Sequence, residues 1–249
     1  MGHFTRFDSN SYELNQNSKK GVLILHGFSS STYETLPLGQ FLSDKGFRVC
    51  IPNLPGHGTT VEDCNATRYH EWLDFVEEKI ADLSIECDEL YVVGLSMGAV
   101  LSLYLASLFP INKVIVCATV LEFKNPFVIN YMIPILNRLI VKKKKISDPA
   151  NLTKKRYSGY DYYPLIALNE FRKLNKYVKK RLNLINCPIL YVHSSGDRLS
   201  LLKNVDLILD NVSSEIKEKL IVDYASHHLF YDSKDKDLIF STIYDFLDK

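Results

Sequence analysis

Residues 91–99 read YVVGLSMGA, an apolar run that ends at a serine held between two glycines. Outward from this corner, short apolar runs alternate with longer amphipathic stretches. GVLILHG (21–27), FRVCIPNLPG (47–56), DELYVVGLS (88–96), NKVIVCAT (112–119), CPILYVHSS (187–195) and EKLIVDYAS (218–226) read as strands. YETLPLGQFLSDKG (33–46), YHEWLDFVEEKIADLSIE (69–86) and MGAVLSLYLASLF (97–109) repeat apolar residues at helical spacing, the last ended by Pro110. Uniformly apolar strands separated by helices argue for an α/β protein with a mostly parallel central sheet covered on both faces.

One region breaks the rhythm. About 65 residues separate VIVCAT from CPILYV, and they hold PFVINYMIPILNRLIV (126–141), four lysines (142–145) and the aromatic cluster YSGYDYYP (157–164). The span 121–175 therefore reads as an insertion on the sheet, within a single domain covering 1–249.

Composition narrows the class of protein. The chain has 249 residues, 46% of them hydrophobic, and a formal net charge of +1, enough to bury one sizeable core. Near-neutral charge gives no electrostatic reason to expect nucleic acid or an acidic substrate as partner. Cys50, Cys64, Cys87, Cys117 and Cys187 form no C-x-x-C pair and are odd in number, so free thiols in a reducing compartment are expected. The start, MGHFTRFDSN, has no apolar signal core, and Arg6 breaks the myristoylation pattern. No window approaches the roughly 18 uninterrupted apolar residues of a membrane span. The expectation is a cytoplasmic protein.

Gly94-Leu95-Ser96-Met97-Gly98 is G-x-S-x-G between an apolar strand and an amphipathic helix. In that context the serine sits on a tight elbow, and the flanking glycines leave room for it. The helix N-terminus beyond it favours developing negative charge. A serine hydroxyl is a weak nucleophile until a base removes its proton, so a histidine and an orienting acid are required. Asp197 follows the strand PILYVH, and His227 and His228 follow the last strand. The order Ser96, Asp197, then His227 or His228 is the one expected downstream of such an elbow. Asp223 lies only four residues before His227 and suits a loop cap; Asp210 suits a helix end.

An acyl-transfer site also needs donors for the oxyanion. The N–H of Met97, directly after the serine, is one; the N–H of Phe28, in LHGFSSS after the first long strand, is the other. His57, His70 and His193 read as structural, and His3 as part of a mobile end. No H-E-x-x-H or Cys/His cluster points to a metal, and no G-x-G-x-x-G after a strand points to a dinucleotide. No cofactor is expected.

Together LILHGFSSSTYE, LPGHGTTVEDC, GLSMGA, PILYVHSSGDRLS and SHHLFYD resemble the α/β-hydrolase superfamily, within it the bacterial carboxylesterase/monoacylglycerol lipase group. The resemblance covers nearly the whole chain and is weakest across 121–175. It implies Ser96, Asp197 and His227 as catalytic triad, Phe28 and Met97 as oxyanion donors, and a cap at 121–175 that shapes acyl and alcohol pockets. It also selects between the histidines: the family's His follows a small residue and precedes an Asp by five, as Ser226, His227 and Asp232 do. Two departures stand out. Ala99 replaces a common second glycine, and His228 replaces the usual apolar neighbour.

The implied activity is hydrolysis of carboxylic esters through an acyl-enzyme, with monoacylglycerol as the specific substrate expected. A cinnamoyl- or feruloyl-type esterase is the runner-up, and a binding protein that has lost the chemistry is the third reading. The apolar stretch 126–141 reads equally as an apolar lid or as a helix packed on the sheet. Lys142–Lys145 suit either a solvated loop or transient contact with anionic lipid headgroups. Tyr157, Tyr160, Tyr162 and Tyr163 suit either an alcohol pocket or the seam between cap and core.

Overall fold

The computed structural model describes residues 8–145, 159–231 and 233–249. His3, Tyr157 and Asp232, singled out above, lie outside them. The strands are β1 (Tyr12–Leu14), β2 (Lys20–Leu25), β3 (Arg48–Ile51), β4 (Glu89–Leu95), β5 (Lys113–Cys117), β6 (Lys142–Lys144), β7 (Tyr162–Pro164), β8 (Ile189–Ser194) and β9 (Lys217–Val222). Seven of them form one sheet in the order β1-β3-β2-β4-β5-β8-β9, parallel throughout except for β1, which runs antiparallel to β3. β6 and β7 pair with each other, antiparallel and apart from this sheet.

The helices are α1 (Leu36–Asp44), α2 (Val61–Ala66), α3 (Tyr69–Glu86), α4 (Met97–Ala106), α5 (Ile133–Leu136), α6 (Leu165–Lys179), α7 (Lys203–Leu209) and α8 (Lys236–Asp248). Successive strand side chains point to opposite faces, so the unbroken apolar strands feed two cores. Leu23, Val92, Val114 and Tyr191 meet Trp72, Val76 and Ile80 of α3 together with α4 and α6. Val22, Val93, Ile115 and Val192 meet Leu38 and Leu42 of α1 and Ile239, Ile243 and Phe246 of α8. Each fully buried aliphatic side chain contributes about 1.5–3 kcal/mol.

Among the described residues of 121–175, two helical parts accompany β6 and β7. Residues 126–136 are helical around a π-turn at Val128–Met132, where Pro134 cannot donate the next α-helical hydrogen bond. Residues from 165 onward form α6, which buries Ala167, Phe171, Leu174 and Val178 in the core beside α3 and α4. Asn65 on α2 holds the seam: its Oδ1 accepts from the N–H groups of Ile166 and Ala167 at 3.0 and 3.1 Å, and its Nδ2 donates to the Val141 carbonyl at 2.9 Å. Among the described residues, no helix is long and apolar enough to cross a membrane.

Candidate active site

Ser96 joins β4 to α4 with φ 58° and ψ −111°. A side chain in so rare a conformation costs of order 1–3 kcal/mol, which the surroundings must offset. Ser96 N–H donates to the Cys117 carbonyl at 2.8 Å, locking the corner to β5. A Cβ on Gly94 would overlap the Gly98 carbonyl, and one on Gly98 would overlap the carbonyl of Leu25 at the end of β2. The glycines of the motif are thus required by backbone-to-backbone packing. Met97 opens α4, where a first-turn N–H has no intrahelical acceptor.

Asp197 follows β8 and His227 follows β9, and His227 Nδ1 lies 2.7 Å from Asp197 Oδ2. A carboxylate only accepts, so Nδ1 carries the proton and Nε2 is left with a free lone pair, the tautomer a general base requires. Asp197 Oδ1 accepts from the N–H groups of Leu199 and Ser200 at 2.7 and 3.0 Å. Burial alone would raise the Asp197 carboxyl; the bond and charge of His227 and these two N–H groups outweigh it and hold it low. Burial alone would lower His227; the Asp197 bond, the Asp197 charge and the more distant Glu34 charge raise it instead. The rival acids lie elsewhere: Asp223 is exposed and accepts from Ser195 Oγ at 3.4 Å, and Asp210 ends α7.

The HGF loop after β2 abuts Ser96, since a Cβ on Gly27 would stand 3.3 Å from Ser96 Cβ. His26 is fully buried; its Nε2 accepts from Leu54 N–H at 3.0 Å, which puts the ring proton on Nδ1, donating to the Gly27 carbonyl at 2.9 Å. Burial keeps this ring neutral. That bond fixes the plane of the peptide carrying the Phe28 N–H. The Phe28 ring packs against Phe171, His57 and Trp72 at 5.4, 6.0 and 6.4 Å. His57 braces its loop through Nδ1 and the Pro55 carbonyl at 3.0 Å, and burial pushes it down to about 3. His193 is buried within β8, and His70 is exposed on α3.

One residue at the site escaped the reading of the sequence. Glu34 is buried in a 3₁₀ turn (Thr32–Glu34); its Oε2 accepts from Gly27 N–H at 3.0 Å and its Oε1 faces His228 Nδ1 at 3.0 Å. Among the described residues, no group of three or more His, Cys, Asp or Glu is placed to hold a metal.

A strand–serine–helix elbow on the central strand of a mainly parallel sheet, with a His–Asp pair after the last two strands, is the arrangement of an α/β-hydrolase. More narrowly, the chain belongs to the family described as serine aminopeptidase, S33, which matches residues 16–234. It is 31% identical over 210 residues to the thermostable monoacylglycerol lipase of Bacillus sp. (strain H-257), covering 82% of this chain and 80% of that one. It is 25% identical over 231 residues to a carboxylesterase of Bacillus subtilis (strain 168), covering 92% and 93%. A solved structure from work on LipS and LipT, two metagenome-derived lipolytic enzymes, shares the fold at a TM-score of 0.86 and 24% identity, covering 96% of this chain and 97% of its own.

Proposed function

We propose that this protein hydrolyses carboxylic esters through an acyl-enzyme, with monoacylglycerols as its substrates. The observation that carries the reading is the 2.7 Å Asp197–His227 pair, which leaves Nε2 without its proton at the carboxyl end of the sheet, the end at which Ser96 sits in its strained turn. His227 Nε2 takes the Ser96 Oγ proton as Oγ attacks the ester carbonyl. The oxyanion is received by the N–H groups of Phe28 and Met97. His227 then returns the proton to the leaving alcohol, and collapse leaves the acyl group on Oγ. A water deprotonated by the same nitrogen attacks the acyl carbonyl, releasing the acid and restoring Ser96. The names of the two Bacillus relatives support the ester, and the first supports glycerol as its alcohol.

The cap supports a lipid substrate. Phe127, Tyr131, Ile135 and Leu139 recur every four residues and are 66%, 63%, 73% and 83% exposed. The exposed Lys142–Lys144 strand follows directly. An apolar stripe beside lysines suits the surface of a lipid aggregate with anionic headgroups, which it contacts transiently through the cap. Five free cysteines, four of them buried, fit a cytoplasmic setting.

The test is turnover across p-nitrophenyl esters, a chain-length series of monoacylglycerols and methyl hydroxycinnamates, with Ser96→Ala as control. Loss of the nucleophile is expected to lower kcat by about 10⁵–10⁶-fold. Retained turnover in Ser96→Ala removes the mechanism, and preference for the hydroxycinnamates replaces the lipid reading with the aromatic one.

A further inference from the structure

Two loops converge on Ser96 from different strands, and a single carboxylate lies between them. Glu34 has a side chain only 3% exposed, and its two oxygens serve different partners. Oε2 accepts the N–H of Gly27, in the loop that presents Phe28. Oε1 accepts from Nδ1–H of His228, the residue after the base. The spacing is tight: a Cβ on Gly27 would stand 3.0 Å from Glu34 Oε2 and 3.3 Å from Ser96 Cβ. One glycine therefore separates this carboxylate from the nucleophile. The His228 ring is held on its other side by Tyr231 at 5.1 Å, and Tyr231 meets Tyr33 at 5.5 Å.

We propose that Glu34 is a positioning residue that ties the oxyanion loop to the loop carrying the general base, and that its charge supports the His227 imidazolium. The proposal rests on the reading of Ser96 and His227 as nucleophile and base. Its geometry separates it from the role of Asp197. Asp197 occupies Nδ1 of His227, whereas Glu34 bonds to the neighbouring residue and acts on His227 through space. The two peptides flanking Gly27 are then fixed from opposite sides, one by Glu34 and the next by His26. That leaves the Phe28 N–H little freedom to turn away, which is the preorganisation an oxyanion donor needs.

The energetics agree. A buried carboxylate without partners would take up a proton. Here burial pushes Glu34 up, but the His228 bond and charge, the Gly27 N–H and the His227 charge outweigh it and hold the carboxyl at about 2. It stays negative at every pH where a histidine base works. Four charged or titratable groups bear on His227: Asp197, Glu34, His193 and the His228 ring at 5.9 Å. Of these, Glu34 is the one whose charge can be deleted without touching the His227–Asp197 pair.

The experiment uses the full-length protein and a short p-nitrophenyl ester, reading kcat, KM and the pH profile of kcat/KM. Glu34→Gln keeps an acceptor for Gly27 N–H but removes the charge. Its acid limb is expected to move to lower pH, because His227 loses a stabilising negative neighbour. Its kcat is expected to fall about tenfold with KM within about twofold, the pattern of lost transition-state positioning. His228→Leu is expected to lower kcat several-fold, and His228→Gln, whose amide can still donate to Oε1, to restore most of it. An acid limb in Glu34→Gln that coincides with wild type overturns the electrostatic part. Full kcat in His228→Leu, or a loss that His228→Gln does not rescue, overturns the tie; this pair is read even where Glu34→Gln fails to fold. Ser96→Ala separates the two levels: activity retained there removes the underlying mechanism, whereas activity lost there with unaltered Glu34 and His228 variants removes this proposal alone.

Discussion

At Ser96 the backbone is held where a side chain is unfavourable, φ 58° with ψ −111°. Alanine at this position keeps the strain and glycine relieves it. Ser96→Gly is therefore expected to be more stable than Ser96→Ala by about 1 kcal/mol, net of the added freedom of the unfolded chain. Equilibrium unfolding of the two inactive variants in urea measures the difference, and equal midpoints would show an unstrained corner. Ser96, Asp197 and His227 were candidates in the sequence because each comes shortly after a run that reads as a strand, and the resemblance chose His227 over His228. Glu34 was not. In STYETLPLG it reads as an acid beside a helix start, and it does lie just ahead of α1. What makes it part of the site is a partner 194 residues away, which local pattern does not encode.

The small strands near the lysine run differ from the main sheet in how they were concealed. β6 and β7 have three residues each, and lysine is a poor strand former, so no period reveals them. The lysine run is also not uniform. Lys142 pairs with Glu62 at 2.7 Å, whereas Lys145 turns inward, donating to Ser29 Oγ at 2.8 Å and lying over the Tyr163 ring. Among the tyrosines, Tyr160 is buried and donates to the Gly56 carbonyl at 2.7 Å, so it forms a seam with the loop after β3. The apolar stripe faces outward beyond this seam, and its contribution separates from chemistry by choice of substrate. Ile135→Asp combined with Leu139→Asp is expected to leave turnover of a dissolved short-chain ester within about twofold, because neither exposed side chain supports the core. The same protein is expected to lose about tenfold or more on dispersed long-chain monoacylglycerol and in sedimentation with anionic vesicles. Equal losses on both substrates would mean that the stripe shapes the site itself.

For the molecule as a whole, buried titratable groups set the response to acid. His26, His57 and His193 are buried and held below the ordinary imidazole value of 6.5. Unfolding lets them bind protons, so stability falls as pH drops below that value. Glu34 is lowered from 4.5 to about 2, so its contribution, about 3 kcal/mol, is present above pH 4.5 and lost as pH falls through 2. Asp197 is lowered as well and acts in the same direction. His227 is raised and opposes them, its contribution being present below the ordinary imidazole value and lost as pH rises through its folded pKa. Urea midpoints are thus expected to fall in two overlapping stages, the histidines acting from about pH 6.5 down to about 3 and the carboxylates adding a second below 4.5. Glu34→Gln should flatten the second stage alone; an unaltered second stage would place its protonation elsewhere.

The 194 residues between Glu34 and His228 also measure time. At roughly 5–20 residues per second, the glutamate is made about 10–40 s before its histidine. Through that interval the carboxylate lacks the histidine that offsets its burial in the folded protein. The bond from His228 to Glu34 forms only once the segment after β9 has been synthesised. His227 is made one residue before His228, so the Asp197–His227 pair and the Glu34–His228 tie are completed together, at the end of synthesis.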